Sequence, residues 1–555
     1  MNIADDIWAW ARKSPDAPAI LTARGTLSFA ELDRAVSAGV RAFSEAGLKP
    51  GDRAGIHSQN QIQYLITFLA LARMGVALFA FRFNDAARNR QQLARGLKIS
   101  VIVTDAQSKW DAAAFSFVPP PPGRLAQLKE FSVADCPGAE DGDLPFLFVA
   151  TSGSTGTPKL GVSSHKQYRP RLIPSAHEPA GPGTRLLSMI NLTFLGATQL
   201  AFRCLAAGGC VCLYLGGKIE GLVRFIAGQD INYLFSTPAH ASLLLDITKE
   251  GKVLFPELAA YRIGTAMVPE ELRKRIQQLI TPNLYIAYGI TEISGVAMAP
   301  PNLVRNVAGV VGSIEPGVEL LITDADGNPL APGEAGRVRL KSPGMLTGYI
   351  DAPEETAAAF KDGWFHSGDI AELTSDGLLI HHGRSDDLMI FDGINIFPAE
   401  IEHALLQNPA VAEAASFPVD AGARGEMPYA AAVVNSPISP KRLLTHCRSI
   451  LGARAPRRVV IVPKLPTSSD GSVKKTPCRS FTKSEIRNRS KSDLTGRSKP
   501  ILVASMSRAR RGVAACHSRG SIRRGWCYFI LRPFAADRRV ENRQMPGTPC
   551  RQTVF

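Results

Sequence analysis

Cysteine, aromatic residues and long apolar runs are all scarce in this chain of 555 residues. Its nine cysteines lie scattered, none with the spacing of a metal-ligand set, which argues against a zinc module. Cys210 and Cys212 occupy the apolar run GGCVCLYL, where alternate strand positions share a face, and they read as reduced core residues. The most apolar window, Tyr64 to Phe81, is interrupted by Arg73 and Gly75, so it reads as a buried helix followed by a strand rather than a membrane span. The opening MNIADDIWAWARKSP puts two aspartates where a secretory leader carries lysines, and it offers no small-residue cleavage site. A cytoplasmic location is the expectation.

Acidic residues are missing from one region only. From Thr476 to the end there are 18 Lys+Arg against 4 Asp+Glu, leaving 46 against 45 for everything before it. The formal net charge of +15 therefore belongs to the tail, while the body is neutral. After Pro500 come 11 arginines and no lysine, with no periodicity beyond the run CYFIL, which reads as a disordered or poorly packed extension. The functional alternative is a basic arm for nucleic acid or an anionic membrane, although the tail holds few aromatics and no known module. A hydrophobic content of 45% and a charged content of 20% are ordinary for a globular protein, and the length suggests about three units.

The most informative stretch is Phe146 to His165, FLFVATSGSTGTPKLGVSSH. A β-branched apolar run breaks into Thr151, Ser152, Gly153, Ser154, Thr155, Gly156, Thr157, Pro158 and Lys159. Glycines let backbone amides turn toward an anion, hydroxyls add donors, and Lys159 supplies a point charge. The spacing is not that of a P-loop: the glycines are closer together, Pro158 precedes the lysine and no Ser/Thr follows it. By composition alone, a polar surface loop fits as well.

Along the chain, strands alternate with helices at spacings that predict a parallel or mixed α/β sheet. An amphipathic helix with Trp8 and Trp10 precedes the strand AILTA, and Ser28 to Glu31 forms a capping box for a helix ending near Gly47. The prolines 119 to 122 read as a linker. Strands are expected at Arg185 to Met189, Val211 to Leu215, Tyr233 to Ser236 and Tyr261 to Ile263. The last runs into Gly264, Thr265 and Ala266, small residues against which a flat ligand could lie, or which merely pack tightly. Pro269 is expected at the first position of the next helix. LYIAYGITEISGV reads as a strand ending in Tyr288, Gly289, Ile290, Thr291 and Glu292, an aromatic, a hydroxyl and a carboxylate able to stack a base, donate to phosphate and hold Mg2+. Turn-rich strands follow, TGYI among them, then WFHSGD, whose Asp369 is expected to open another strand. The run GRSDDLMIFDGINIFPAEIEHALL holds a hairpin turning at Asp392-Gly393 and a helix from Pro398, inside a compact α+β unit with strands AVVNS and VVIV and a helix after Pro440.

With TSGSTGTPK, YGITE, WFHSGD and GRSDDLMIFDG with INIFPAEIE in this order, residues 1 to about 475 resemble the adenylate-forming acyl-CoA synthetase family of AMP-binding ligases. The resemblance implies an α/β fold: a large N-terminal domain of α/β sheets with a β-rich subdomain over residues 1–385 and a small α+β C-terminal lid over 386–480; the basic tail 481–555, read from composition, follows them. It also implies two half-reactions. A carboxylate attacks the α-phosphate of Mg-ATP, giving an acyl-adenylate and pyrophosphate; the thiol of coenzyme A then displaces AMP. In that scheme residues 151 to 159 cradle the β- and γ-phosphates, Gly264, Thr265, Ala266 and Tyr288 sandwich adenine beside Gly289, and Thr291 touches the α-phosphate. Glu292 binds Mg2+, Asp369 accepts the ribose hydroxyls and Arg384 reaches the ribose and phosphate side. Asp386 corresponds to the hinge of the small domain and Gly393 to the glycine lining the pantetheine tunnel. Thr193 stands where the family often carries an aromatic or histidine gate, or an acid pairing with an amine. It therefore implies an acid without an α-amino group, aliphatic or aromatic, although a packing role for Thr193 fits equally.

The chain departs from this pattern where the family's late loop carries its adenylation lysine. In Leu465 to Lys475, LPTSSDGSVKK, Ser472 stands at that position and the nearest substitute is Lys474. Two residues of extended chain keep Lys474 on the same face, about 6.6 Å further on. A long side chain could then compensate in part, with weak adenylation as the expected result. Two other readings stand beside the CoA ligase: one loads a separate carrier protein, and the other is a catalytically impaired nucleotide- or acyl-binding relative with a nucleic-acid-binding tail.

Overall fold

Short β-branched runs alternating with helices build two large sheets rather than one. The computed structural model describes residues 2–83, 85–105, 109–119, 139–151, 159–175, 177–248, 251–306 and 309–466. Residues 152–158, most of the proline linker, Ser472, Lys474 and the basic tail lie outside the described residues.

The first sheet has six strands, in the order Ala113–Ser116, Val101–Thr104, Arg53–His57, Ala77–Ala80, Pro145–Thr151 and Lys159–Ser164. All neighbours run parallel except the last pair, an antiparallel hairpin in which Thr151 stands opposite Lys159. The Ser/Gly-rich segment 152–158 is thus the connection of that hairpin. Its two ends are held in register by strands whose apolar residues are buried.

The second sheet changes character midway. Its parallel half runs Pro18–Thr22, Cys210–Leu213, Arg185–Ser188, Tyr233–Ser236, Ala260–Ile263 and Leu284–Ile290. From there it continues antiparallel through Ser294–Ala299, Val310–Ile314, Leu378–Arg384, Trp364–Leu373, Gly336–Lys341 and Glu319–Thr323. The reversal falls on the segment Ile290 to Ser294, where a tight turn takes the place of a helix crossover.

Helices Phe29–Glu45, Gln61–Arg73 and Leu195–Ala206 share one core with strands of both sheets, built from Phe43, Phe68, Phe146, Phe202 and Leu186 among others. Lying between sheets, Gln61–Arg73 is buried almost all round, including Arg73, whose guanidinium pairs with Asp33 at 2.6 Å. The Ser28 capping box forms as expected. A separate core holds Met389–Phe391, Ile394–Ile396, Pro398–Leu406 and Pro440–Leu451 against a three-stranded sheet of Val411–Asp420, Glu426–Val434 and Arg458–Ile461. Among the described residues no helix is long and apolar enough to cross a membrane.

Four local expectations differ from what forms. Pro269 is the residue before the helix Glu270–Leu279 rather than its first residue, extended at ψ 148°. LYIAYGITEISGV is two strands, because Thr291 to Ile293 turn the chain back on itself. TGYI forms no strand and contributes only an isolated bridge between Tyr349 and Gly161. Asp369 sits in the middle of Trp364–Leu373 rather than at its start.

Candidate active site

At the reversal in the large sheet, strand ends stand beside side chains that emerge from strand interiors. Between them opens a cavity of about 630 Å3, lined by Thr151, Lys159, Thr265, Ala266, Tyr288 to Glu292, Tyr349, Asp369, His381, Arg384 and Asp386. Its volume suits a nucleotide-sized ligand. Residues separated by more than 200 positions in sequence meet here.

The parallel half supplies small residues and backbone. Gly264 ends Ala260–Ile263, and a Cβ there would lie 3.3 Å from the carbonyl of Ala287. Thr265 holds a left-handed φ of +73°, a strained conformation for a β-branched residue and one that recurs where a loop is shaped for a ligand. Gly289 faces Ser294 across the turn. A Cβ at Gly289 would stand 2.6 Å from that residue's carbonyl oxygen, so only glycine lets the two strands approach.

The antiparallel half supplies charge. Asp369 and Arg384 are direct partners across adjacent strands, with Arg384 Nη1 at 3.5 Å from Asp369 Oδ1 and His381 Nε2 at 3.7 Å. The Tyr288 hydroxyl donates to Asp369 Oδ2. Burial alone would raise the Asp369 carboxyl, but His381, Tyr288 and Arg384 outweigh it and hold it below the ordinary value of 3.8. Burial, followed by the Asp369 charge, pushes the Tyr288 phenol well above its usual value. Arg384 also reaches Asp386, whose Oδ2 is 3.7 Å from Nη2.

Glu292 is 6% exposed, and its Oε1 accepts a 2.7 Å hydrogen bond from the Tyr349 hydroxyl. Lys159 Nζ lies over the Tyr349 ring, 5.1 Å from its centroid, so one aromatic residue links the cation at the hairpin end to the carboxylate at the turn. Beneath the turn, Arg171 is 3% exposed and donates to backbone from each of its three nitrogens: Nη1 to Thr291 O at 3.0 Å, Nη2 to Glu292 O at 3.0 Å and Nε to Gly344 O at 2.8 Å. Burial brings its pKa down to about 10, so it stays charged at neutral pH.

Thr151, Lys159, Thr265, Ala266, Tyr288, Gly289, Thr291, Glu292, Asp369, Arg384 and Asp386 thus come together, and Gly264 adjoins them. Thr193 does not line the cavity; its hydroxyl donates to Asn191 Oδ1 at 2.9 Å. Gly393 also stays out. Its turn has positive φ at Asp392 and Gly393 and is tied to Arg424, whose Nε donates to Asp392 Oδ1 at 2.9 Å. Ser152, Gly153, Ser154, Thr155, Gly156 and Lys474 lie outside the described residues. Arg171, Tyr349 and His381 were not legible as site residues. The available signal was Arg171, set between Pro170 and the apolar Leu172-Ile173-Pro174, which must find acceptors if it is buried.

Residues 7–350 match the family described as AMP-binding enzyme, and residues 400–471 match the AMP-binding enzyme C-terminal domain. The chain belongs to this family, that of the adenylate-forming acyl-CoA synthetases. Among curated relatives, a feruloyl-CoA synthase from Amycolatopsis sp is 29% identical over 496 residues, covering 84% of this chain and 96% of that protein. A 2-succinylbenzoate–CoA ligase from Geobacillus kaustophilus is 29% identical over 467 residues (82% and 93%), and a long-chain-fatty-acid–CoA ligase from Salmonella typhimurium is 26% identical over 541 (86% and 94%). ATP-bound MatB from Rhodopseudomonas palustris shares the fold at a TM-score of 0.77 with 24% identity, over 87% of this chain and 99% of that one. An O-succinylbenzoate coenzyme A synthetase from Bacillus subtilis in complex with AMP does so at 0.74 with 21% identity, over 85% and 97%.

Proposed function

We propose that this chain is an AMP-forming acid–thiol ligase that activates a carboxylic acid with ATP and passes the acyl group to coenzyme A. The observation that carries the reading is the cavity at the sheet reversal, where a cation at a hydroxyl-rich hairpin end, a carboxylate and a threonine at a strand turn, and a buried aspartate paired with arginine face one space. Adenylation asks for positioning and charge neutralisation more than for proton transfer, because the acid is already ionised at neutral pH.

In this reading the hairpin connection between Thr151 and Lys159 wraps the β- and γ-phosphates. Adenine lies between the Gly264–Ala266 backbone and Tyr288, while Asp369 accepts the ribose hydroxyls. Asp369 suits that task because it stays ionised, and Tyr288 and Arg384 fix its orientation. Thr291 donates to the α-phosphate, from a backbone that Arg171 holds still.

A Mg2+ site fits the donor set. No group of three or more His, Cys, Asp or Glu side chains able to hold a metal occurs among the described residues. Glu292, a buried carboxylate at the turn, stands ready with Tyr349 taking one oxygen. Mg2+ is commonly held by one or two carboxylates completed by substrate phosphates and waters, so Glu292 would hold it together with ATP. When bound, the ion neutralises charge on the phosphate oxygens.

Asp386 is assigned as the hinge and Gly393 as lining the thiol's path after the small domain turns. Lys474 is assigned to the adenylation step in place of the residue at Ser472. Incubation with ATP, Mg2+ and an acid panel, with and without coenzyme A, tests the whole reading: AMP release requiring both acid and coenzyme A is expected, and nucleotide binding without turnover would overturn it. Acid-dependent pyrophosphate exchange is expected to be weak and to rise in Ser472→Lys; an unchanged rate in that variant removes the assignment at the late loop.

A further inference from the structure

Directly behind the turn at Thr291–Glu292 lies a second cavity, of about 50 Å3, lined by Arg171, Arg203, Arg262, Ser294, Gly295 and Glu315 among others. Its lining is crowded with charge. Arg262 Nη1 sits 2.6 Å from Glu178 Oε1 and Arg203 Nη1 sits 3.5 Å from Oε2, with the Glu178 side chain only 2% exposed. Tyr233 donates a further hydrogen bond to Glu178. That carboxylate is saturated, whereas the guanidinium groups are not: the Nε atoms of both Arg203 and Arg262 are buried without a hydrogen-bond partner among the described residues. Glu315 lines the same space, and Glu292, the acid whose charge faces Arg171, is turned to Tyr349, so neither carboxylate meets those two Nε atoms.

The cavity's place in the fold gives this imbalance a use. Arg262 lies on the strand Ala260–Ile263, two positions before the Gly264 that follows its end. The Arg262 guanidinium carbon lies 5.6 Å from the centre of the Phe235 ring, which also neighbours Gly264. Ser294 follows Glu292 by two residues, and Arg171 bonds the carbonyls of both Thr291 and Glu292. The turn borders both cavities, with Thr291 and Glu292 lining the first and Ile293 to Gly295 the second, so an acid whose reacting carboxylate lay at Thr291 would have this space next along the turn. An alkyl terminus there would leave buried N–H donors unsatisfied, which is costly in a desolvated site. A second carboxylate supplies the missing acceptor, and in charged form. The cavity is roomy enough for a small polar group such as a carboxylate but not for a chain.

We infer that the acid activated by this chain is a dicarboxylic acid whose distal carboxylate is bound by Arg203 and Arg262 in this cavity. The inference rests on the ligase reading, since it names the substrate class of that site. The test compares monocarboxylic and α,ω-dicarboxylic acids of matched length from four to eight carbons, with benzoate and phthalate as an aromatic pair, in acid-dependent pyrophosphate exchange. A site built to hydrogen-bond a group rejects analogues lacking it strongly, so the best dicarboxylate should exceed its matched partner by roughly 100-fold in kcat/KM. That ratio should fall to about threefold or less in Arg203→Met and Arg262→Met, where the distal carboxylate loses charge-assisted partners. Removing Arg262 strips Glu178 of its closest partner, so the double variant Glu178→Gln, Arg262→Met guards against loss of folding. Thermal shift of the wild-type protein with AMP present reads the same cavity without turnover: stabilisation by a dicarboxylate and not by its matched partner is expected. A wild-type preference for monocarboxylates, or a ratio unchanged in folded variants, overturns the inference. If no acid supports exchange but the dicarboxylate still stabilises, the ligase reading fails while the cavity assignment stands; if neither acid of any pair stabilises, the cavity assignment falls as well.

Discussion

The two halves of the large sheet contribute to the active site in different chemical forms. The parallel half ends its strands at the cavity and offers small residues, glycine and backbone. The antiparallel half runs its strands past the cavity and offers side chains from their middles, Asp369 and Arg384 facing each other in register. Parallel strands need crossovers, so their ends are free to become loops, whereas antiparallel partners bring opposite charges together by register alone. Shape recognition therefore sits on one side and charge recognition on the other, with Arg171 fastening the turn where they meet.

Breaking that fastening should have the largest effect. Arg171→Met leaves three buried carbonyls without their donor and is expected to cost about 4 kcal/mol in urea unfolding, with ATP binding lost alongside. On the charge side, Asp369→Asn should weaken ATP binding by about 30-fold, measured by calorimetry, as expected for a hydrogen bond to a charged group. The sign of the pH effect sharpens this. The folded carboxyl titrates below its ordinary 3.8, so its contribution to stability is present above 3.8 and is lost as pH falls through the depressed folded value. Unfolding curves of wild type and Asp369→Asn should therefore differ at neutral pH and converge in acid below 3.8.

On the shape side, Gly289→Ala forces a Cβ against the Ser294 carbonyl and should cost about 2 kcal/mol by denaturant titration, with Asp369 chemistry untouched. Smallest of all, Tyr349→Phe removes one hydroxyl and keeps the ring over Lys159. The Mg2+ concentration needed for half-maximal ATP binding is expected to rise about fivefold, the equivalent of about 1 kcal/mol, and an unchanged requirement would separate Tyr349 from the Glu292 site.

Much of the site was legible because its parts are local. A strand running into glycines and hydroxyls, a capping box at Ser28 and an Asp-Gly hairpin at Asp392 each follow from a few neighbouring residues, and each forms. The misses are of the opposite kind. The strand Val411–Asp420 went unread because its run, VAEAASFPVD, is weakly alternating and gains its place by pairing with Glu426–Val434. Arg171 and Tyr349 went unread because their partners lie 120, 121 and 57 residues away in the chain. TGYI looked like a strand from its composition, yet the need to present Tyr349 to Glu292 and Lys159 leaves it only a bridge.

The sequence by itself determined the family, the order of the α/β elements, the strand that runs into the hydroxyl-rich stretch, and the neutral body with its basic tail, since all of these rest on short-range pattern and composition. Only the tertiary structure decided that the large sheet reverses direction at the YGITE turn, that Asp369 meets Arg384, and that three arginines from distant segments enclose a second cavity behind the turn. Those outcomes depend on which strands pair and which buried charges find partners, and long-range pairing settles both.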